Sequence, residues 1–390
     1  MTRILIISPS DISRDPRVLR HVEVAKEFGA VTTCGYGEDS IPGTSHLQIS
    51  PNVRFLPRNL FTLSLIKLHL HSWAARRSQF YREAKSLLGE QVELFDAVIV
   101  NDVHALQVIA DLFPADRIWA DMHEYAPLEG EHDWRWRLLY RRHIKFLCQV
   151  NLSKPKVVTS VGQVICDRYT NELNRPVVLL RNSSPYSPRL REVSTSFNGA
   201  TPICLVHVGV SIRARQLENM IDAVKGKEGI QLTLFLLPTD VIYHSELLEI
   251  CSQTSNVEMR EPIPVSSIIS EISKFDAGIV TIPPTSFNYE NCLPNKLFQY
   301  LQARLPIITG PIPEIARLVE EEGIGAVSEG FDPDSIFVAV QEIRRLGPSF
   351  FSERLDSAAR TYSIDHENRI RRNLIQSLLS VDDHSIGNEM

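Results

Sequence analysis

Three stretches carry residue types that could do chemistry. In the first half, Asn101-Asp102-Val103-His104 follows the apolar run Ala97–Val100, and Asp121-Met122-His123-Glu124-Tyr125 follows Ile118–Ala120. An imidazole beside carboxylates can serve as a base, or as a donor to a substrate hydroxyl. The competing reading is that Asp102 caps the next helix and His123 is structural. In the second half, the run Ile203–Val208 ends at Gly209 and leads into Arg213-Ala214-Arg215. Glycine allows close backbone approach, a following helix N-terminus favours an anion, and two guanidiniums can fork onto phosphate oxygens. This reads as a diphosphate site, against the alternative of two solvated arginines. The third stretch, Thr285 to Lys296, is a polar loop between an apolar run and a helix. At about 10 residues it exceeds the usual connection, which points to function. Pro294, near the helix start, reads as partly structural.

Other stretches bound the chemistry. The loop after Ile4–Ile7 has no Gly-x-Gly-x-x-Gly, which disfavours a dinucleotide site of that type. Its Asp15-Pro16 fits an N-cap followed by the first helical residue, leaving Arg17 or Arg20 as the cation able to reach a ligand. Asp332-Pro333-Asp334 imitates a metal-binding pair but precedes a helical run, and reads as a cap.

These loops need a frame. Apolar, β-rich runs fall at 4–7, 30–34, 53–56, 97–100, 117–120, 157–159 and 177–180, then at 203–208, 231–236, 277–282, 306–308 and 324–327, with helical segments between most of them. Short strands alternating with helices predict parallel sheets covered on both faces. A polar Pro/Ser stretch at 182–202 reads as the interdomain linker. The expectation is an α/β protein of two doubly wound Rossmann-like domains facing across a crevice, with ligands outside the strand carboxyl ends. The expected domains are 1–190 and 200–364. A helix over 365–390 is expected to cross back and to end in a frayed tail.

The chain has 390 residues, 43% hydrophobic and 23% charged, enough to build real cores in two domains. The net charge of -6 is uneven: residues 1–200 hold about 25 Lys and Arg against 21 Asp and Glu, and the remainder is acidic. That argues against nucleic-acid binding. The six scattered cysteines form no Cys-x-x-Cys pair, so a reducing, cytoplasmic setting is expected. The N-terminal apolar run is too short for a signal peptide and reads as a strand. Residues 134–150 read as a helix with Trp136, Leu139, Tyr140, Leu147 and Val150 on one side. Arg135, Arg137, Arg141, Arg142 and Lys145 lie on the other. Either that basic face is solvated, or it touches anionic lipid on the inner face of a membrane.

Together these loops resemble the large family 4 (group 1) of retaining glycosyltransferases, of the two-Rossmann-domain GT-B class, over nearly the whole chain. Asp15-Pro16-Arg17-Val18 and Asp121-Met122-His123-Glu124 look like one branch of it. The segment 256–264 looks like the one whose backbone lies near the base, and Leu293–Ile308 is similar to the donor-sugar helix. The resemblance implies hexosyl-type transfer with retention from a nucleotide sugar to a glycan or lipid-linked acceptor, in polysaccharide or glycolipid synthesis. The nucleotide sugar is a co-substrate, and neither a metal nor another cofactor is required. Donor binding would fall to Gly209, Arg213, Arg215, Asn291, Pro294, Asn295, Lys296 and Gln299. His123, with Asp102 or Glu124, would be catalytic, and Arg17, Asp121 and Tyr125 would line the acceptor side. The family's two donor-helix glutamates are Asn291 and Gln299 here, and the Arg after the strand-end Gly is Val210. The family's Lys five residues further on matches Arg215. The changes at Asn291 and Gln299 leave open a non-catalytic relative that binds a nucleotide sugar or a partner subunit, and the shared two-domain architecture leaves open a nucleotide-sugar epimerase.

Overall fold

The computed structural model describes residues 1–38, 41–57, 59–190 and 202–380; most of the expected linker (191–201) and the tail from 381 lie outside the described residues. Two all-parallel sheets carry the chain. The first contains β1 (Arg3–Asp11), β2 (Ala30–Tyr36), β3 (Thr44–Gln48), β4 (Ala97–Asn101), β5 (Ile118–Met122), β6 (Val157–Ser160) and β7 (Val178–Leu179). Their order is β3-β2-β1-β4-β5-β6-β7. The second contains β8 (Ile203–Val210), β9 (Ile230–Leu237), β10 (Val257–Arg260), β11 (Ala277–Val280), β12 (Ile307–Thr309) and β13 (Gly325–Val327), in the order β10-β9-β8-β11-β12-β13.

Continuous apolar runs make these strands. Ile4 to Ile7 are all fully buried, as expected of a parallel strand covered on both faces. Ile4 sits opposite Val31 on one side and Ala97 on the other. In both sheets the winding reverses beside the first strand, between β1 and β4 and between β8 and β11. Each reversal opens a space outside the carboxyl ends of those strands, where such sheets bind ligands.

The chain forms two compact units, residues 1–181 with 368–390, and 182–367. The helix Ile364–Leu379 therefore contributes most of its length to the first unit. There Ile375 and Leu378 join the core formed by Ile4, Ile6, Val18 and Trp119.

Both acidic caps read from the sequence are present. The Asp15 carboxylate accepts from the backbone N–H of Arg17 (3.1 Å) and Val18, and Asp332 accepts from that of Ser335 at 2.9 Å. Other expectations change. Residues 53–56 form no strand: Val53 closes a turn onto Ser50 (3.0 Å), and the segment is bounded by Pro51 and Pro57. Residues 44–48, with a single large apolar side chain, pair on the sheet edge instead. The helix expected over 134–150 breaks at Tyr140 into Trp134–Leu139 and Arg141–Asn151. Leu139, expected on the packed side, is exposed.

Candidate active site

In the second unit the site is built where β8 and β11 diverge. His207 and Gly209 are two residues apart on β8 and so share a face. A Cβ placed on Gly209 would lie 2.9 Å from His207 Nε2, 3.2 Å from Lys296 Nζ and 3.4 Å from Arg215 Nη1. Three nitrogens thus surround the one position that lacks a side chain. Arg215 is delivered by the turn Arg213–Arg215 after β8, and Lys296 by the first turn of the helix Asn295–Ala303.

The electrostatics of this cluster are unbalanced. Lys296 Nζ, Arg215 Nε and His207 Nε2 are buried and, among the described residues, have no hydrogen-bond partner. Burial, with Arg215 adding to it, lowers the Lys296 amine to about 7. Burial likewise lowers Arg215, and it drives the His207 imidazole well down, helped by the charge on Lys296. His207 Nδ1 lies 2.8 Å from the Ile279 carbonyl, so Nδ1 donates and the Nε2 lone pair faces the two cations. Buried cations without a counter-charge are costly, and an anion in front of Gly209 would relieve that cost.

The remaining donor-side candidates are placed less uniformly. Pro294 precedes the helix as its N-cap, Asn295 opens it and is exposed, and Gln299 lies one turn beyond Lys296, half-buried. The Asn291 amide is buried and donates to the Phe287 carbonyl at 2.8 Å. Arg213 is exposed, pairs with Glu246 at 2.8 Å and covers the Tyr243 ring, so its guanidinium is committed to the helix Val241–Ser252. The cation pair at Gly209 is therefore Arg215 with Lys296.

In the first unit, Asp102, His123, Glu124, Ala126 and Glu129 line a cavity of about 160 Å³. Asp102 caps the helix Val103–Leu112, accepting from the Val103 N–H at 2.6 Å. It does so at φ 72 and ψ 151, a backbone region almost confined to glycine. Strain of that kind costs about 1–3 kcal/mol and gathers at functional sites. Burial, with Glu129 and Asp102 adding repulsion, raises the Glu124 carboxyl to about 7. Burial and then Arg17 lower His123, whose Nε2 stands 4.0 Å from Asp121. At neutral pH the cavity thus presents a neutral imidazole beside a carboxyl poised between its two forms.

Arg17 and Asp121 are bound to each other. The Arg17 guanidinium makes a two-point contact with the Asp121 carboxylate (2.6 and 2.5 Å) and donates to the Leu180 carbonyl at 3.0 Å. His21 Nε2 (2.7 Å) and the Thr159 hydroxyl also donate to Asp121. Although burial works against it, the neighbouring Arg17 charge holds Asp121 well below the usual carboxylate range. Tyr125 is buried, with its hydroxyl donating to Glu172 at 2.5 Å.

No family model matches the sequence, and no curated protein matches it. Solved structures do. Sucrose-phosphate synthase from Thermosynechococcus elongatus superposes with a TM-score of 0.70 at 12% identity, covering 97% of this chain and 99% of that one. HepE from Anabaena, in complex with UDP, gives 0.68 at 12% identity, covering 97% and 100%. A glycosyltransferase from Rickettsia africae gives 0.67 at 11%, covering 97% and 99%. The chain has the two-Rossmann-domain fold of the GT-B glycosyltransferases.

The sequence reading missed His207 and Glu129. His207 carried one signal: a polar residue inside an apolar strand, in phase with a glycine. Glu129 carried none. Gly209→Ala tests the cation cluster directly. Its methyl group would crowd His207, Lys296 and Arg215, so nucleoside-diphosphate affinity should fall at least about tenfold, which is ~1.4 kcal/mol. Calorimetric titration reads the affinity. An unchanged value would mean that nothing docks in front of Gly209.

Proposed function

We propose that the chain is a glycosyltransferase that moves a sugar, with retention, from a nucleoside-diphosphate sugar to a glycan or lipid-linked acceptor in polysaccharide or glycolipid synthesis. The observation that carries this reading is the buried, unpartnered Lys296 amine beside Arg215 in front of Gly209. A diphosphate supplies the missing negative charge. In transfer, the acceptor oxygen bonds to the anomeric carbon as the bond from that carbon to the diphosphate oxygen breaks. The acceptor proton leaves with the diphosphate. Arg215 and Lys296 stabilise charge that develops on the leaving group, which favours the transition state over the ground state. The proposal assigns this role to the two side chains rather than to a metal. Asn291 and Gln299 are assigned to hydroxyls of the donor, and Pro294 and Asn295 to shaping the helix start. The cavity with His123, Glu124 and Asp102 is assigned to the acceptor.

The HepE structures hold UDP and UDP-glucose, so the uridine series is tested first. A thermal-shift panel of UDP, GDP, dTDP, ADP and CMP with their sugar conjugates should show stabilisation by one diphosphate series, which Arg215→Ala abolishes. No shift with any of them would end this reading. The Asn291 amide, turned back onto its own helix, favours a second reading as a non-catalytic binder. Product formation from a bound donor separates the two.

A pH test follows from Lys296. Its amine sits at about 7 in the free protein. A bound diphosphate favours the ammonium and raises it. Above pH 7, binding must therefore take up close to one proton, and affinity should fall as pH rises. Titration calorimetry at pH 8 in buffers of different ionisation enthalpy counts the protons. Zero uptake would place Lys296 away from the phosphates.

A further inference from the structure

One group of helices in the first unit is unusual on its outer side. The helix Leu60–Lys67 packs against His71–Arg76 and against Trp134–Leu139. Tyr140 ties them together, donating to the Pro57 carbonyl at 2.7 Å and packing on Leu65, Ile66 and Ala74. Those buried residues account for the inward faces. Outward stand Leu60 (86% exposed), Phe61, Leu68, Trp73 (62%), Trp134 (61%) and Leu138 (75%). The helix Trp134–Leu139 buries none of its residues. A surface cluster of this kind marks a binding face.

The charge around the cluster is predominantly positive. Residues 51–82 contain no Asp or Glu, and neither do residues 134–151. The cations include Lys67, Arg77, Arg135, Arg137, Arg141 and Arg142. Arg77 lies over the Phe61 ring and Arg135 over Trp134. The neighbouring acids are engaged: Asp111 pairs with Arg76 at 2.7 Å, and Asp133 caps the helix it precedes. Exposed Leu, Phe and Trp tips ringed by cations are what an anionic lipid–water interface accepts, with rings at headgroup level and basic stems reaching the phosphates. A second copy of the same face would oppose cation to cation. Among the described residues no helix is long and apolar enough to cross a membrane, so contact would be from one side.

We propose that this three-helix face, over residues 60–77 and 134–142, docks the protein on a bilayer containing anionic lipid. The face is wider than the single helix over 134–150 expected from the sequence, and its apolar tips come mostly from residues 60–73. The proposal stands apart from sugar transfer, because docking needs no turnover.

The test is co-sedimentation of the full chain with vesicles of phosphatidylcholine alone and with added phosphatidylglycerol. Binding is expected only to the anionic vesicles and should weaken with salt. Tryptophan emission should shift to the blue on binding, and lose that shift in the Trp73→Ser/Trp134→Ser variant. Leu60→Glu/Leu138→Glu, and separately Arg137→Glu/Arg141→Glu, should each lower the partition coefficient at least about tenfold, with Tm unchanged because all four side chains are exposed. The arginine pair decides the matter if the leucine variant folds poorly. Absence of binding to anionic vesicles would overturn the proposal. So would binding that the variants leave unaltered, or concentration-dependent self-association that they abolish.

Discussion

Lys296→Met should make the unliganded protein more stable and, on the proposed function, make sugar transfer far slower. The amine sits at about 7 against an ordinary 10.5, so burial works against its charged form. The sign follows from linkage. Between those two values the unfolded chain binds more protons than the folded one, so stability rises with pH there. Below about 7 the folded protein bears the whole cost of the buried charge. Methionine fills a similar volume without charge and removes that cost. A gain of only ~1–2 kcal/mol would raise Tm by about 2–8 °C for a unit of this size. On the proposed function the same change deletes a cation assigned to the leaving group, and loss of one such interaction costs about 10²–10³ in turnover. Calorimetric scans without nucleotide, paired with steady-state assays, read both. A lower Tm together with unchanged turnover would remove Lys296 from the site.

Arg17→Met should destabilise the first unit by about 3–5 kcal/mol, because it takes the paired positive charge from a fully buried carboxylate. Asp121→Asn should cost a similar amount, since it removes the carboxylate charge that pairs with the buried guanidinium. The double variant should lose much less than the sum of the two, which a double-mutant cycle in urea measures. The Asp121 carboxyl lies below its ordinary value in the folded state, so the pair contributes fully above that ordinary value. Its contribution is lost as pH falls toward the folded value. Additive losses would mean that the two side chains act separately. Strong coupling between the two would make Arg17 a structural residue rather than an acceptor-side one.

Much of the fold was readable because parallel strands are apolar along their whole length. Ile4–Ile7, Ala97–Val100 and Ile203–Val208 needed no tertiary information. The edge strand at 44–48 was unreadable for the opposite reason: one face and one edge are open, so Thr, Ser, His and Gln suffice. The site divides the same way. Gly209, Arg215 and Lys296 were legible because loops after strands are where such sheets place ligands. The ion pair between Arg17 and Asp121 spans 104 residues, and no local pattern marks it. Nor could spacing show that Arg213 turns to Glu246 while Arg215 turns inward. Both sit in one short turn, and only tertiary packing separates them.

The first unit is closed by residues that come after the second in the chain. Lys156 donates to the Ser377 carbonyl at 2.7 Å, Arg372 pairs with Glu27 at 2.7 Å, and Ile375 and Leu378 fill the core. During synthesis, β1 to β7 therefore emerge nearly 200 residues before the helix that completes their packing. At about 5–20 residues per second, the ribosome leaves that apolar seam uncovered for about 10–40 seconds. The protein is thus vulnerable early in its life, when a nascent-chain chaperone has the most to shield. A premature stop at residue 368 would leave the second unit whole and compromise the one made first.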